Sequence, residues 1–153
     1  MARLLVDAMC GRLARYLRFC GHDAAYAPDR GVEADDAIES LARREERIIL
    51  TRDHAIGGGD LDVIHLGATD LDGQLRAVAR AGIALEPSER PSRCGRCNGV
   101  LRPASDAEEA PGYVPRGAEA LSRCRRCGRY FWRGSHWDRV AARLERVRSG
   151  IEP

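Results

Sequence analysis

A chain of 153 residues and 16.9 kDa holds one ordinary domain, or a domain of about 85 residues with a small appendage that needs its own staple. Its net charge of +2 hides an asymmetry: residues 1–86 carry 11 Arg against 15 acids, net −4, and residues 87–153 carry 14 Arg against 8, net +6. Every basic residue is Arg, and the absence of Lys excludes a P-loop, a Schiff-base lysine, a kinase-type phosphate lysine and the phosphate-contacting lysine of a receiver domain.

In chain order, Leu4-Leu5-Val6 is a short apolar run ending at Asp7, and it reads as a strand. From Gly11 onward Leu13, Ala14, Leu17 and Cys20 share one helical face, closed by Gly21. Residues 23–27 form a weak candidate strand, since two of them are plain Ala. Asp35 or Asp36 then caps a helix whose apolar face is Ile38, Leu41 and Ala42. Ile48-Ile49-Leu50-Thr51 is the strongest strand, ends at Arg52-Asp53, and is followed after a Gly-rich loop by Val63-Ile64-His65-Leu66. Residues 70–81 return to helix. Strands alternating with helices point to βαβ units and a parallel sheet covered on both faces, with ligands bound beyond the C-terminal strand ends.

The stretch Glu86-Pro87-Ser88-Glu89-Arg90-Pro91 marks a boundary between residues 1–86 and residues 87–153. Beyond it, Cys94-Gly95-Arg96-Cys97 and Cys124-Arg125-Arg126-Cys127 frame an irregular middle. The last element is a helix opened by Ser135, with Asp138 as a capping-box variant and Trp137, Val140, Ala141, Leu144 and Val147 on one face. No apolar run is long enough to span a membrane, and the N-terminus has no signal-peptide pattern. With the cysteines paired as ligands, the expected compartment is the cytoplasm.

Two constellations carry chemistry. Asp7 and Asp53 each follow a predicted parallel strand, and Asp35-Asp36 open a helix. Carboxylates gathered at one sheet edge repel one another unless a cation neutralises them. A hard divalent metal, Mg²⁺ or Mn²⁺, resolves this and activates water for attack on a phosphodiester. Asp36 is the favoured helix ligand and Asp35 the alternative; Thr51 can orient a ligand through its hydroxyl, and Arg52 can pair with a carboxylate.

The second constellation is the two C-x-x-C pairs, 26 residues apart, which have the spacing of a structural Cys₄ zinc site. Cys94, Cys97, Cys124 and Cys127 are the ligands, and the shell leaves no open position for water. Cys10 and Cys20 read as small buried hydrophobes. Arg96, Arg102, Arg116, Arg123, Arg125, Arg126, Arg129 and Arg133, interleaved with Tyr130, Phe131, Trp132 and Trp137, offer phosphate contacts and stacking platforms for single-stranded nucleic acid. His136 reads as a helix-start residue facing phosphate.

The segments from Leu4 to Arg18, Ile48 to Asp53 and Gln74-Leu75-Arg76, together with the tail from Arg93 through both knuckles to Trp132-Arg133-Gly134-Ser135-His136-Trp137, resemble the PIN-like RNase family of the Mut-seven C-terminal domain. The resemblance implies a three-layer α/β/α sandwich with a parallel sheet, then a small zinc ribbon and C-terminal helix. It implies metal-dependent cleavage of RNA, with the acidic positions on Asp7, Asp36 and Asp53. Related PIN domains often have a fourth carboxylate, for which Asp60, Asp62 and Asp70 are candidates. The expected protein is a ribonuclease of two parts, an acidic one that cuts and a basic ribbon that presents the strand. The alternatives are a non-cleaving RNA-binding module, separable by its indifference to divalent metal, and a regulatory adaptor whose ribbon and last helix recruit a protein.

Overall fold

The computed structural model describes residues 1–104 and 110–150. The first half alternates as expected: β1 (Arg3–Val6), α1 (Gly11–Phe19), β2 (Asp23–Tyr26), α2 (Asp35–Glu45), β3 (Ile48–Thr51), β4 (Val63–His65) and α3 (Leu71–Arg80). The four strands form one parallel sheet in the order β2-β1-β3-β4. Side chains alternate across it. Leu4, Val6 and Leu50 join α1 and α3 on one face, while Leu5 and Ile49 join Ile38 and Leu41 of α2 on the other. The result is a three-layer α/β/α sandwich. Leu4, Leu5, Leu13, Leu17 and Leu50 are fully buried, each contributing about 1.5–3 kcal/mol of hydrophobic stabilisation.

The crossovers leave β1 toward β2 and enter β3 from β2, so the sheet order reverses between β1 and β3. Parallel sheets open a crevice at such a switch point, beyond the carboxyl ends of the strands. Asp7 and Asp53 follow those two ends, and Asp7 N donates to Leu50 O at 3.0 Å, which carries the β1–β3 pairing one step past Val6.

The described residues between 101 and 131 are less irregular than the composition suggests. β5 (Leu101–Pro103), β6 (Ser122–Cys124) and β7 (Tyr130–Phe131) make a small antiparallel sheet. Among the described residues its own buried cluster is Cys94, Leu101 and Cys124, too small to hold a fold without a metal. The last helix, α4 (Ser135–Ser149), is grouped with the ribbon by its place in the chain. In space its Val140, Leu144 and Val147 complete the core around α1 and α3. Its N-cap is Gly134, with no side-chain cap bond, so neither Ser135 nor a box with Asp138 opens it. Similarly, Ala34 caps α2 without a side-chain bond, which puts Asp35 and Asp36 inside the first turn.

A buried polar joint ties the ribbon to the edge strand. Asn98 Oδ1 accepts from Ala24 N at 3.0 Å and its Nδ2 donates to Asp23 Oδ1 at 2.7 Å. Asp23 also receives Arg47 at 2.8 Å, and Arg18, buried, donates to Ala24 O and to Gly95 O, each at 2.9 Å. The first knuckle therefore continues the hydrogen bonding of β2, whose outer edge would otherwise be an open strand edge.

Candidate active site and metal centre

Asp7 is held from both oxygens. Its Oδ1 accepts from Ala8 N at 2.7 Å and its Oδ2 accepts from the Thr51 hydroxyl at 2.6 Å. Thr51 is fully buried, and its Oγ1 also accepts from Asp53 N at 2.9 Å. Asp53 Oδ1 accepts from Ala55 N at 2.9 Å, an Asx-turn that fixes the side chain over the strand end. An ionised carboxylate has about four acceptor positions, so both aspartates keep unused lone pairs. The expected role of Thr51 is met by direct contact, whereas Arg52 has no ion-pair partner among the described residues.

Of the two acids at the start of α2, Asp35 is the one whose carboxyl is influenced by the strand-end acids. Its carboxyl is pushed above the usual carboxylate range by a hydrogen bond with Asp53 and by the charges of Asp53, Asp7 and Glu39. Asp36 instead accepts from its neighbour Ala37 N at 3.0 Å. The reason is local. With Ala34 at the cap, adjacent helical residues differ by about 100° around the axis, and it is Asp35 that shares the site with Glu39 one turn later. Glu39 Oε2 accepts from Gly57 N at 2.9 Å, joining the helix to the loop after Asp53. Sequence reading passed over Glu39, although its i+4 spacing from Asp35 was visible.

Two of the three other candidate acids have partners of their own: Asp60 pairs with Arg43 at 3.3 Å, and Asp70 caps α3 through Gly73 N at 3.0 Å. Two histidines not anticipated stand at the same sheet edge. His54 follows Asp53 and stacks on His65, ring centroids 5.4 Å apart, and His65 Nε2 donates to Ile56 O at 2.9 Å.

The four cysteines converge as their spacing demands, with ligand atoms all within 4.8 Å of one another. Among the described residues no three carboxylates or histidines gather so tightly. Cys94 Sγ lies 3.7 Å from Cys127 Sγ, and Cys97 Sγ 3.5 Å from Cys124 Sγ. Zinc–sulfur bonds of about 2.3 Å in a tetrahedron give edges of about 3.8 Å, so the set could hold a metal such as zinc. Backbone supports it: Asn98 and Gly128, each following the second cysteine of its pair, have φ of 69° and 80°. At Gly99 a side chain would come within 2.7 Å of Cys124 Sγ. Burial raises the Cys94 thiol to about 12. Cys124 is lowered to about 7, because amide and thiol hydrogen bonds overcome its burial.

The ribbon's aromatic residues divide. Trp137 is buried against Phe19, with ring centroids 5.4 Å apart, and Tyr130 is buried under the Arg123 guanidinium, so neither is a stacking platform. Phe131 and Trp132 remain half-buried. Cys10 is buried and Cys20 half-buried, with burial raising both thiols, that of Cys20 to about 12.

Among the described residues no helix is long and apolar enough to cross a membrane. The sequence profile of one family, described as the Mut7-C RNAse domain, matches residues 2–144. No curated protein and no solved structure matches the chain.

Proposed function

Because this chain belongs to the Mut7-C RNAse domain family, we propose that it is a metal-dependent ribonuclease that hydrolyses RNA phosphodiester bonds at the carboxyl ends of β1 and β3. The observation that carries this reading is the Thr51 hydroxyl, which donates to Asp7 Oδ2 at 2.6 Å while its oxygen receives the Asp53 amide at 2.9 Å, so that two acids stand together beyond β1 and β3 with the raised Asp35 carboxyl near them. Four acids arranged so that one is pushed toward protonation are unfavourable alone and are relieved by a bound cation. Asp7, Asp35 and Asp53, with Glu39 beside them and Asp36 as the alternative on the same turn, would hold a hard divalent ion. Mg²⁺ or Mn²⁺ there supplies phosphate neutralisation and a more acidic bound water.

The protein's own residues set the geometry. Thr51 keeps Asp7 and the Asp53 backbone in register, the Ala8 and Ala55 amides fix one oxygen of each carboxylate, and the α2–Gly57 tie holds Asp35 at the mouth. Residues 1–86 with α4 form the cutting body. Residues 87–134 form the ribbon, held by zinc on Cys94, Cys97, Cys124 and Cys127 and docked through Asn98. Zinc serves structure only, since four thiolates leave no coordination site for substrate.

The test is cleavage of end-labelled single-stranded RNA by the zinc-loaded protein with Mn²⁺, with Mg²⁺ and with neither, beside Asp53→Asn. Cleavage that requires the divalent ion and disappears in the variant supports the reading. Binding with no cleavage under any metal rejects it in favour of a module that holds RNA without cutting.

A further inference from the structure

A cleft of about 670 Å³ opens between α1 and the ribbon. α1 lines it with Arg12, Arg15, Tyr16 and Phe19, and the ribbon and the start of α4 face them with Arg96, Arg129, Phe131, Trp132 and His136. Among the described residues no Asp or Glu lines it. Arg12, Arg15 and Arg96 are exposed, and no acid among the described residues pairs with them. These guanidinium groups share one hollow with no counter-charge from the described residues, an arrangement that a polyanion completes. The half-buried rings of Tyr16, Phe131 and Trp132 add apolar, planar surface beside the charge. Charge with aromatic faces is the chemistry of unpaired nucleotides.

We propose that this cleft binds a short single-stranded segment of RNA, its phosphates on Arg12, Arg15 and Arg96 and its bases against Tyr16 and Trp132. The proposal rests on the ribonuclease reading for the identity of the strand, and adds where the strand lies. One wall of the cleft comes from the first helix, while the outer arginines of the ribbon, such as Arg116 and Arg125, lie outside it. α1 begins at Gly11, four residues beyond Asp7, so the cleft leads toward the acidic edge. Arg12 stands at the junction, since it also lines the smaller hollow beside Met9 and Cys10. From Arg12 to Phe19 the helix rises about 10 Å, and a stacked strand advances about 3.4 Å per nucleotide. About three nucleotides therefore span the cleft wall from Arg12 to Phe19.

The experiment uses the full zinc-loaded chain and a fluorescein-labelled, unstructured RNA of about 12 nucleotides, without added Mg²⁺ or Mn²⁺. Binding is followed by anisotropy and by tryptophan emission. Trp132 and Trp137 are the only two tryptophans, and Trp137 is buried. RNA is expected to quench the emission, and Trp132→Phe to remove most of the quench. Arg12→Ala with Arg15→Ala is expected to weaken binding by about tenfold or more, and to flatten the slope of log K against log salt by about 1.4, two phosphates' worth on a single strand. Arg116→Ala with Arg125→Ala is expected to change affinity by less than about twofold.

Equal losses for the two arginine pairs, no quench, or equal binding of an oligoglutamate of matching length would overturn the proposal. RNA bound in the cleft but never cut rejects the ribonuclease reading and leaves the cleft standing. Metal-dependent cutting with unchanged KM in Arg12→Ala with Arg15→Ala rejects the cleft and leaves the ribonuclease.

Discussion

The Thr51 hydroxyl donates to Asp7 Oδ2 at 2.6 Å across the β1–β3 pair. Its oxygen simultaneously receives the Asp53 amide at 2.9 Å, so one buried side chain sets the spacing of two acids that are 46 residues apart in sequence.

Thr51→Val keeps the shape and removes this link. Loss of a buried hydrogen-bonding group costs about 1–3 kcal/mol, and misplacing Asp7 by even about 1 Å is expected to lower kcat by about a hundredfold, with KM for RNA changing little. Thr51→Ser retains the hydroxyl and is expected to recover most of the rate. Steady-state cleavage and urea denaturation of both variants check this.

Asp35 and Asp36 are distinguished by a pair of neutralising substitutions. The Asp35 carboxyl is raised, first by its hydrogen bond with Asp53. A raised carboxylate opposes folding when ionised, and that penalty is relieved as pH falls. Asp35→Asn is therefore expected to increase Tm near pH 7 without divalent ions, and to abolish the further increase that Mn²⁺ brings to the parent protein. Asp36→Asn is expected to leave the Mn²⁺ response in place. Thermal melts with and without Mn²⁺ decide between them.

Asn98→Ala opens the joint between ribbon and sheet. The Ala24 amide loses its acceptor and Asp23 loses a donor, both in a buried setting. A cost of about 1–3 kcal/mol follows. Hydrogen exchange should locate the loosening at β2 and the first knuckle, leaving β3 and β4 protected. Uniform loss of protection would contradict the edge-strand role.

Acid sensitivity should originate at the same end of β2, where Asp23 also receives Arg47. Hydrogen bonds from Arg30 and then Arg47 hold Glu45 at about 2, and Arg47 and Asn98 lower Asp23 against its burial. A depressed carboxylate stabilises the fold above its unfolded pKa and loses that contribution as pH falls through the folded one. Stability is thus expected to fall from about pH 4.5 toward pH 2. Glu45→Gln should flatten that limb at a cost near pH 7 of about 1 kcal/mol, since Glu45 is partly exposed and solvent screens the pair. Denaturation midpoints across that range test the sign.

The alternating strands and helices were readable because their signals are local. Ile48–Thr51 is a continuous apolar run of the kind a parallel strand buried on both faces requires, and α1 repeats its apolar residues every three or four positions. The cysteine spacing was equally local, since each knuckle is a closed turn. What escaped were features set by tertiary context. β7 has two residues and β5 three, too few to show a period. The choice between Asp35 and Asp36 depends on where α2 begins, and its first residue is fixed by the extended backbone of Ala34 rather than by a capping side chain. The apolar face of α4 was visible, but its partner was not, because amphipathicity does not name the surface that covers it. The cleft between α1 and the ribbon depends on Asn98 docking and could not be seen along the chain.

The most direct measurement is metal rescue of a single phosphorothioate placed at the cleavage site of a short RNA. Oxygen-preferring Mg²⁺ tolerates sulfur poorly and Mn²⁺ accepts it better. Sulfur is expected to slow cleavage in Mg²⁺ by about tenfold or more for one diastereomer, and Mn²⁺ to restore it. Both activities should vanish in Asp7→Asn. Equal rates in the two metals for either diastereomer, or cleavage that survives Asp7→Asn, would contradict a metal held at the ends of β1 and β3.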